Sequence, residues 1–257
     1  MGFAPKGGLD LGGKVALVTG GARRVGRAIS EALASDGARV AIHYNASERE
    51  ARELAEELAG RGCPEPAIFR ADLRDPAQAE ALPGRVVERF GRLDILINSA
   101  AVMLRQPFGT VTAEMWDSVL DLNLRAYFLV AQAAAASLRR VGGKIVNISD
   151  VAAYEPWPAY LPHSISKAGV EMLTKGLARV LAPEVTVNAV APGPVLPAEG
   201  SSTDELERLV RTVPLGRLGD PGDVTDAIRF FLSCDFVTGT TVVVDGGQLV
   251  RARSHVT

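Results

Sequence analysis

Short β-branched runs alternate with longer stretches of helical periodicity from Lys14 almost to the last residue. Such alternation restricts the chain to repeated strand–helix units on a parallel sheet. Strands are expected over 15–19, 39–43, 67–70, 93–98, 144–149, 185–189 and 241–244. Helices are expected over 25–35, 47–60, 76–90, 112–138, 164–181 and 221–232. Several strands are almost wholly apolar, as strands covered by helices on both faces must be. The expected fold class is therefore α/β, a seven-stranded parallel sheet in a three-layer αβα arrangement. The chain has 257 residues, 47% of them apolar, enough for one large core. No Pro/Gly/Ser linker or internal repeat divides it, so residues 14–257 read as a single domain behind a glycine-rich, flexible N-terminal arm over 1–13.

Composition removes several function classes. Lys plus Arg total 28 against 30 Asp plus Glu, so no charge excess draws the chain to nucleic acid. Cys63 and Cys234 are too few for a disulfide framework or a zinc site, and no metal is expected. No apolar run approaches the ~20 residues of a membrane helix, and residues 1–13 lack the basic-then-apolar layout of a signal peptide. The expectation is a cytoplasmic protein whose partner is a small molecule, with no nucleic acid and no membrane.

The first strand runs into Thr19, Gly20, Gly21, Ala22, Arg23, Arg24, Val25 and Gly26 and then a helix. Glycines there let the backbone turn tightly and approach a pyrophosphate at the helix N-terminus. After the second strand, an NAD-binding chain carries an acid for the ribose 2′-hydroxyl. Here His43, Tyr44, Asn45, Ala46 and Ser47 stand in its place. Arg23 and Arg24 are either ordinary surface arginines or the planar forks that would pair with the 2′-phosphate of NADP. The missing acid favours the second reading and NADPH/NADP as cofactor. Residues 192–202, with three prolines and two glycines between a strand and a polar helix, read as a mobile lid over the ligand.

These pieces, with Asp72-Leu73, Asn98-Ser99-Ala100-Ala101, Asn123, Asn147-Ile148-Ser149-Asp150, Ser166-Lys167-Ala168, Asn188 to Gly193 and Asp245-Gly246-Gly247, occur in an order that resembles the short-chain dehydrogenase/reductase family. The resemblance spans Lys14 to Gly247. It implies a Rossmann-type doubly wound fold, a nicotinamide cofactor and hydride transfer. It also implies Asp72 and Leu73 beside the adenine, Asn98 and Ala100 along the cofactor, and Pro192-Gly193 near the nicotinamide. Assembly as a homotetramer or homodimer through the helices at 112–138 and 164–181 is implied as well.

Three positions depart from the family pattern. Arg24 stands where a glycine is usual, Asp150 where the catalytic serine is usual, and His163 where the tyrosine four residues before the lysine is usual. Arg24, Asp150 and the His43-Tyr44 pair are similar to pteridine reductases within the same family, although Met103 occupies the place of their stacking phenylalanine. An NADPH-dependent reduction of a dihydropterin or related heterocycle is the implied activity; a 3-oxoacyl-type carbonyl reductase and a non-catalytic NADP-binding protein are the alternatives. Asn123 and Lys167 would keep their family roles. Imidazole can donate a proton near neutral pH, so either Asp150 with His163 relaying delivers the proton, or His163 marks lost catalysis. Met103, Trp116 and Trp157 are assigned to packing.

Overall fold

The computed structural model describes residues 9–197 and 200–250. Its elements run β1 (Val15–Val18), α1 (Arg24–Ser35), β2 (Arg39–Tyr44), α2 (Glu48–Gly60), β3 (Ala67–Arg70), α3 (Pro76–Phe90), β4 (Ile95–Asn98), α4 (Ala113–Leu120), α5 (Ala126–Val141), β5 (Lys144–Ile148), α6 (Leu161–Leu181), β6 (Thr186–Pro192), α7 (Thr203–Val210), α8 (Pro221–Ser233) and β7 (Thr241–Val244). All seven strands are parallel, in the order β3-β2-β1-β4-β5-β6-β7. Strand order reverses between β1 and β4, and a doubly wound sheet opens its ligand crevice at that switch point.

Alternate strand residues point to opposite layers. Ala16, Val18, Ile95, Ile97, Val146 and Ile148 pack with Ile29 and Leu33 of α1, Leu54 of α2 and Ile228 of α8. Leu17, Leu96, Ile145 and Val187 pack with Leu82 and Val86 of α3, Ala134 and Leu138 of α5 and Leu177 of α6. Leu96 is wholly buried, and its truncation to alanine would cost about 2–5 kcal/mol.

Among the boundaries that move are some that matter for the site. The single helix expected over 112–138 is interrupted: a π turn over Asp121–Arg125 separates α4 from α5 and turns Asn123 inward. Such wide turns cluster at functional sites. Helix α6 starts at Leu161, three residues early, with Pro162 in its first turn, where the missing N–H costs nothing. Strand β6 extends to Pro192, registered against Val244 of β7.

The N-terminal arm also needs correction in part. Residues 1–8 lie outside the described residues, but Leu11 is buried, and its N–H donates to the Asp36 carbonyl at 2.8 Å. Residues 9–13 are thus fastened to the C-terminal end of α1. Among the described residues no helix is long and apolar enough to cross a membrane.

Candidate active site

A cleft of about 660 Å³ runs along the C-terminal edge of the sheet. Strands β1 to β6 each contribute residues that follow them: Gly20 after β1, Asn45 after β2, Asp72 and Leu73 after β3, Ala100 after β4, Asp150 after β5, and Gly193 after β6. Arg23, Arg24, Val25 and Gly26 line the same cleft from the start of α1, and Pro192 from the last residue of β6.

The glycine turn is built on close backbone contacts. Gly20 has φ +64°, and a Cβ there would stand 2.9 Å from Cα of Ala100; at Gly26 it would stand 2.1 Å from the Gly20 carbonyl oxygen. No side chain caps α1 and no acidic residue occupies its first turn, whereas side chains cap α3, α4, α7 and α8. Uncapped amides at a positive helix end, reached by a wall without carboxylate at the end of β2, fit a dinucleotide pyrophosphate.

His43 braces this turn from below. Its Nδ1 accepts the Gly20 N–H at 3.0 Å, and its Nε2 then donates to the Ala71 carbonyl at 3.1 Å, which assigns the neutral tautomer. Burial is the main cause that lowers its pKa from 6.5 to about 4, with the Ala71 hydrogen bond opposing. The ring touches the cleft, but both nitrogens are engaged by protein.

Arg24 has φ +51°, a conformation costing a non-glycine residue about 1–2 kcal/mol, which accounts for the glycine usual at this place. Its guanidinium does not reach toward the end of β2. Nη2 donates to the carbonyls of Leu196 and Pro197 at 2.9 and 3.2 Å, so the 2′-phosphate role expected for Arg24 gives way to a bond across the cleft.

At the other end, α6 presents His163 and Lys167 one turn apart, both 3% exposed and both lining the cleft. Asp150 accepts the Ala152 N–H with Oδ1 at 2.8 Å and faces Nε2 of His163 with Oδ2 at 3.5 Å. Nδ1 of His163 lies 3.2 Å from the Val102 carbonyl and 3.4 Å from Nδ2 of Asn123. A doubly protonated ring can donate to the two oxygens, and a neutral ring can accept from Asn123. Nζ of Lys167 donates to the Ile148 carbonyl at 2.7 Å and lies 5.5 Å from the centre of the Tyr127 ring. Burial lowers its pKa from 10.5 to about 8 against the opposing charges of Asp150 and Glu171.

Four expected site residues do not line the cleft. Asn98 is fully buried and donates to Asn147 at 2.9 Å, which donates on to Thr174. Asn123 clamps the Val102 backbone through its N–H and its carbonyl, both at 2.9 Å. Tyr44 belongs to the core, and Ser47 sits at the N-cap of α2 with no side-chain cap bond. Conversely, Met103 and Trp157 do line the cleft, and Trp157 stacks on His163 with centroids 6.2 Å apart. For Met103 the signal was its resemblance in place to the stacking phenylalanine of pteridine reductases. Leu209 and Gln248 also line it, from elements remote in sequence, and no local pattern marks them.

A phosphate-accepting turn at the switch point of a parallel sheet, opposite a buried lysine and an acid–imidazole pair, defines a dinucleotide-dependent oxidoreductase scaffold. A family profile described as enoyl-(acyl carrier protein) reductase matches residues 20–248. The chain belongs to the short-chain dehydrogenase/reductase family and is an NAD(P)-dependent oxidoreductase. It is 36% identical over 241 residues to the 3-oxoacyl-[acyl-carrier-protein] reductase FabG of Staphylococcus aureus, covering 91% of this chain and 98% of that one. Similar solved structures include FolM alternative dihydrofolate reductase 1 from Brucella canis complexed with NADP (TM-score 0.88, 32% identity, 95% and 96% of the two chains). A blue fluorescent protein from a metagenomic library in complex with NADPH is similar too (TM-score 0.86, 35% identity, 93% and 99%).

Proposed function

We propose that this protein is an NADPH-dependent reductase of a flat conjugated heterocycle of the dihydropterin type, with Asp150 and His163 delivering the proton. The observation that carries the reading is the placement of the Asp150 carboxylate in the cleft within 3.5 Å of a buried imidazole. When bound, the cofactor supplies the hydride. The turn residues Gly20, Val25 and Gly26, with Arg23, Asn45 and Asp72, would hold it.

Hydride arrival leaves charge on a ring nitrogen, which needs a proton there. Asp150 gives that proton and recovers one from Nε2 of a doubly protonated His163, which keeps its Nδ1–H on the Val102 carbonyl and takes its replacement proton from solvent through the cleft. Lys167 adds a positive field that stabilises negative charge developing beside it. Met103 and Trp157 offer apolar faces to a flat substrate, and likeness to the FolM alternative dihydrofolate reductase supports reduction of a pterin-like ring. The FabG relative supports a 3-oxoacyl carbonyl substrate as the second reading.

The test follows NADPH oxidation with dihydrobiopterin, an acetoacetyl thioester and a simple quinone, alongside cofactor binding by fluorescence. Turnover on dihydrobiopterin is expected. Turnover on the thioester alone would transfer the reading to the carbonyl reductase, and binding with no turnover would favour a nucleotide-holding role. Exposed Phe128, Met172 and Val180 on α5 and α6 support assembly into a homodimer or homotetramer, measurable by light scattering.

A further inference from the structure

We infer that Arg24 is a tether: it fastens the glycine turn to the segment Pro194–Pro197 across the cleft, and so positions that segment as the wall of the substrate end. Three observations carry this. Nη2 of Arg24 bonds to two successive carbonyls, those of Leu196 and Pro197, 172 and 173 residues away in the chain. Pro194 and Val195 form the wall between the main cleft and a second hollow of about 480 Å³, so the stretch that follows them has open space on both sides of its base. Among the described residues, its other backbone hydrogen bonds to distant segments lie at the near end, where the Gly193 N–H donates to the Val244 carbonyl at 2.9 Å and the Gly219 N–H to the Pro194 carbonyl at 3.1 Å. Beyond Val195, which is buried, the Arg24 bonds are what tie Leu196 and Pro197 to the opposite wall.

The backbone of Arg24 makes the cross-link informative. Residue 24 has positive φ, a conformation in which an arginine is strained and a glycine is not. A side chain present at strained backbone points to a gain from that side chain, and among the described residues its hydrogen bonds are these two. Because Arg24 is also the first residue of α1, whatever occupies the turn holds the base of the tether. The same contact therefore transmits order from the cofactor end of the cleft to its substrate end.

Arg24→Gly removes the tether while relieving the backbone, so it separates the two effects. In ligand-free protein, cleavage after Glu199 by a glutamate-specific protease, followed by mass spectrometry, is expected to accelerate at least five-fold, with Tm unchanged or higher. Arg24→Lys, with a point charge in place of the fork, should fall between. Unaltered cleavage after Glu199 would overturn the proposal, as would faster cleavage at every glutamate accompanied by a lower Tm. With NADPH and dihydrobiopterin, the tether predicts a rise of about ten-fold in KM for the pterin and little change in kcat. This second arm rests on the proposed function; if the wild type does not turn over dihydrobiopterin, that function fails and the protease arm still decides the tether.

Discussion

Nε2 of His163 lies 3.5 Å from Oδ2 of Asp150, although thirteen residues, a strand end and the start of a helix separate them. The other carboxylate oxygen is held by the Ala152 N–H. One oxygen thus anchors the side chain, and the other faces the ring, which is the arrangement the proposed proton delivery requires. Asp150→Asn preserves the shape and the anchor but cannot carry the proton. Turnover is expected to fall about 100-fold or more, with NADPH affinity changed less than two-fold. Steady-state rates and a fluorescence titration check both, and unchanged turnover would remove Asp150 from the chemistry.

The brace beneath the glycine turn makes stability sensitive to acid. Buried His43 has its pKa lowered from 6.5 to about 4, so between those values the unfolded chain binds a proton that the folded one refuses. Stability is therefore lost as pH falls through that window, by at most about 3 kcal/mol from this residue. His43→Asn keeps an acceptor for the Gly20 N–H and loses the titration. At pH 7 it should be about 1 kcal/mol less stable for want of the Ala71 bond. Urea denaturation at pH 6.5 and 4.5 should show a shallower loss in the variant; equal losses would contradict the assignment.

Lys167 places a cation where water is excluded. Its pKa falls from 10.5 to about 8, so the folded state bears a penalty below pH 8, at most about 3 kcal/mol, that fades as pH rises from 8 to 10.5. Lys167→Met removes the cation along with one hydrogen bond to Ile148. We expect Tm at pH 7 to rise by about 3–6 °C while turnover is lost, and the gain over wild type to shrink above pH 8. A variant less stable at pH 7 would show that the lysine's contacts outweigh its desolvation.

Cofactor choice is read at the end of β2, where Asn45 is exposed and lines the cleft. Asn45→Asp restores an acid near the expected 2′-phosphate. Two like charges about 4 Å apart repel by about 1 kcal/mol in water and more in a cleft, so NADPH affinity should fall at least ten-fold while NADH affinity holds or improves. An unaltered ratio between the two cofactors would place the 2′-phosphate elsewhere.

Much of the fold was legible because its causes are local. The strands at 67–70 and 241–244 begin and end where expected, and α3 is bounded by Asp75, Pro76 and Gly91, whose capping chemistry needs no tertiary partner. The interruption of the helix after Leu120 was not legible, since nothing in Asp121–Arg125 breaks helical periodicity. The wide turn is held in tertiary context by Asn123, which satisfies both polar groups of the Val102 backbone.

The amino-acid order alone determined that seven short strands alternate with helices, that a glycine turn follows the first, and that Asp150 and His163 stand thirteen residues apart with Lys167 one helical turn beyond. Those features depend on residue type and on spacing along the chain, which periodicity and steric rules read directly. Only the tertiary structure decided that Arg24 crosses to Leu196 and Pro197, that Asn98 and Asn123 turn into the protein, and that Trp157 stacks on His163. Each of these is a contact between segments far apart in sequence or a choice between two faces of one element, and packing energy, not local preference, makes that choice.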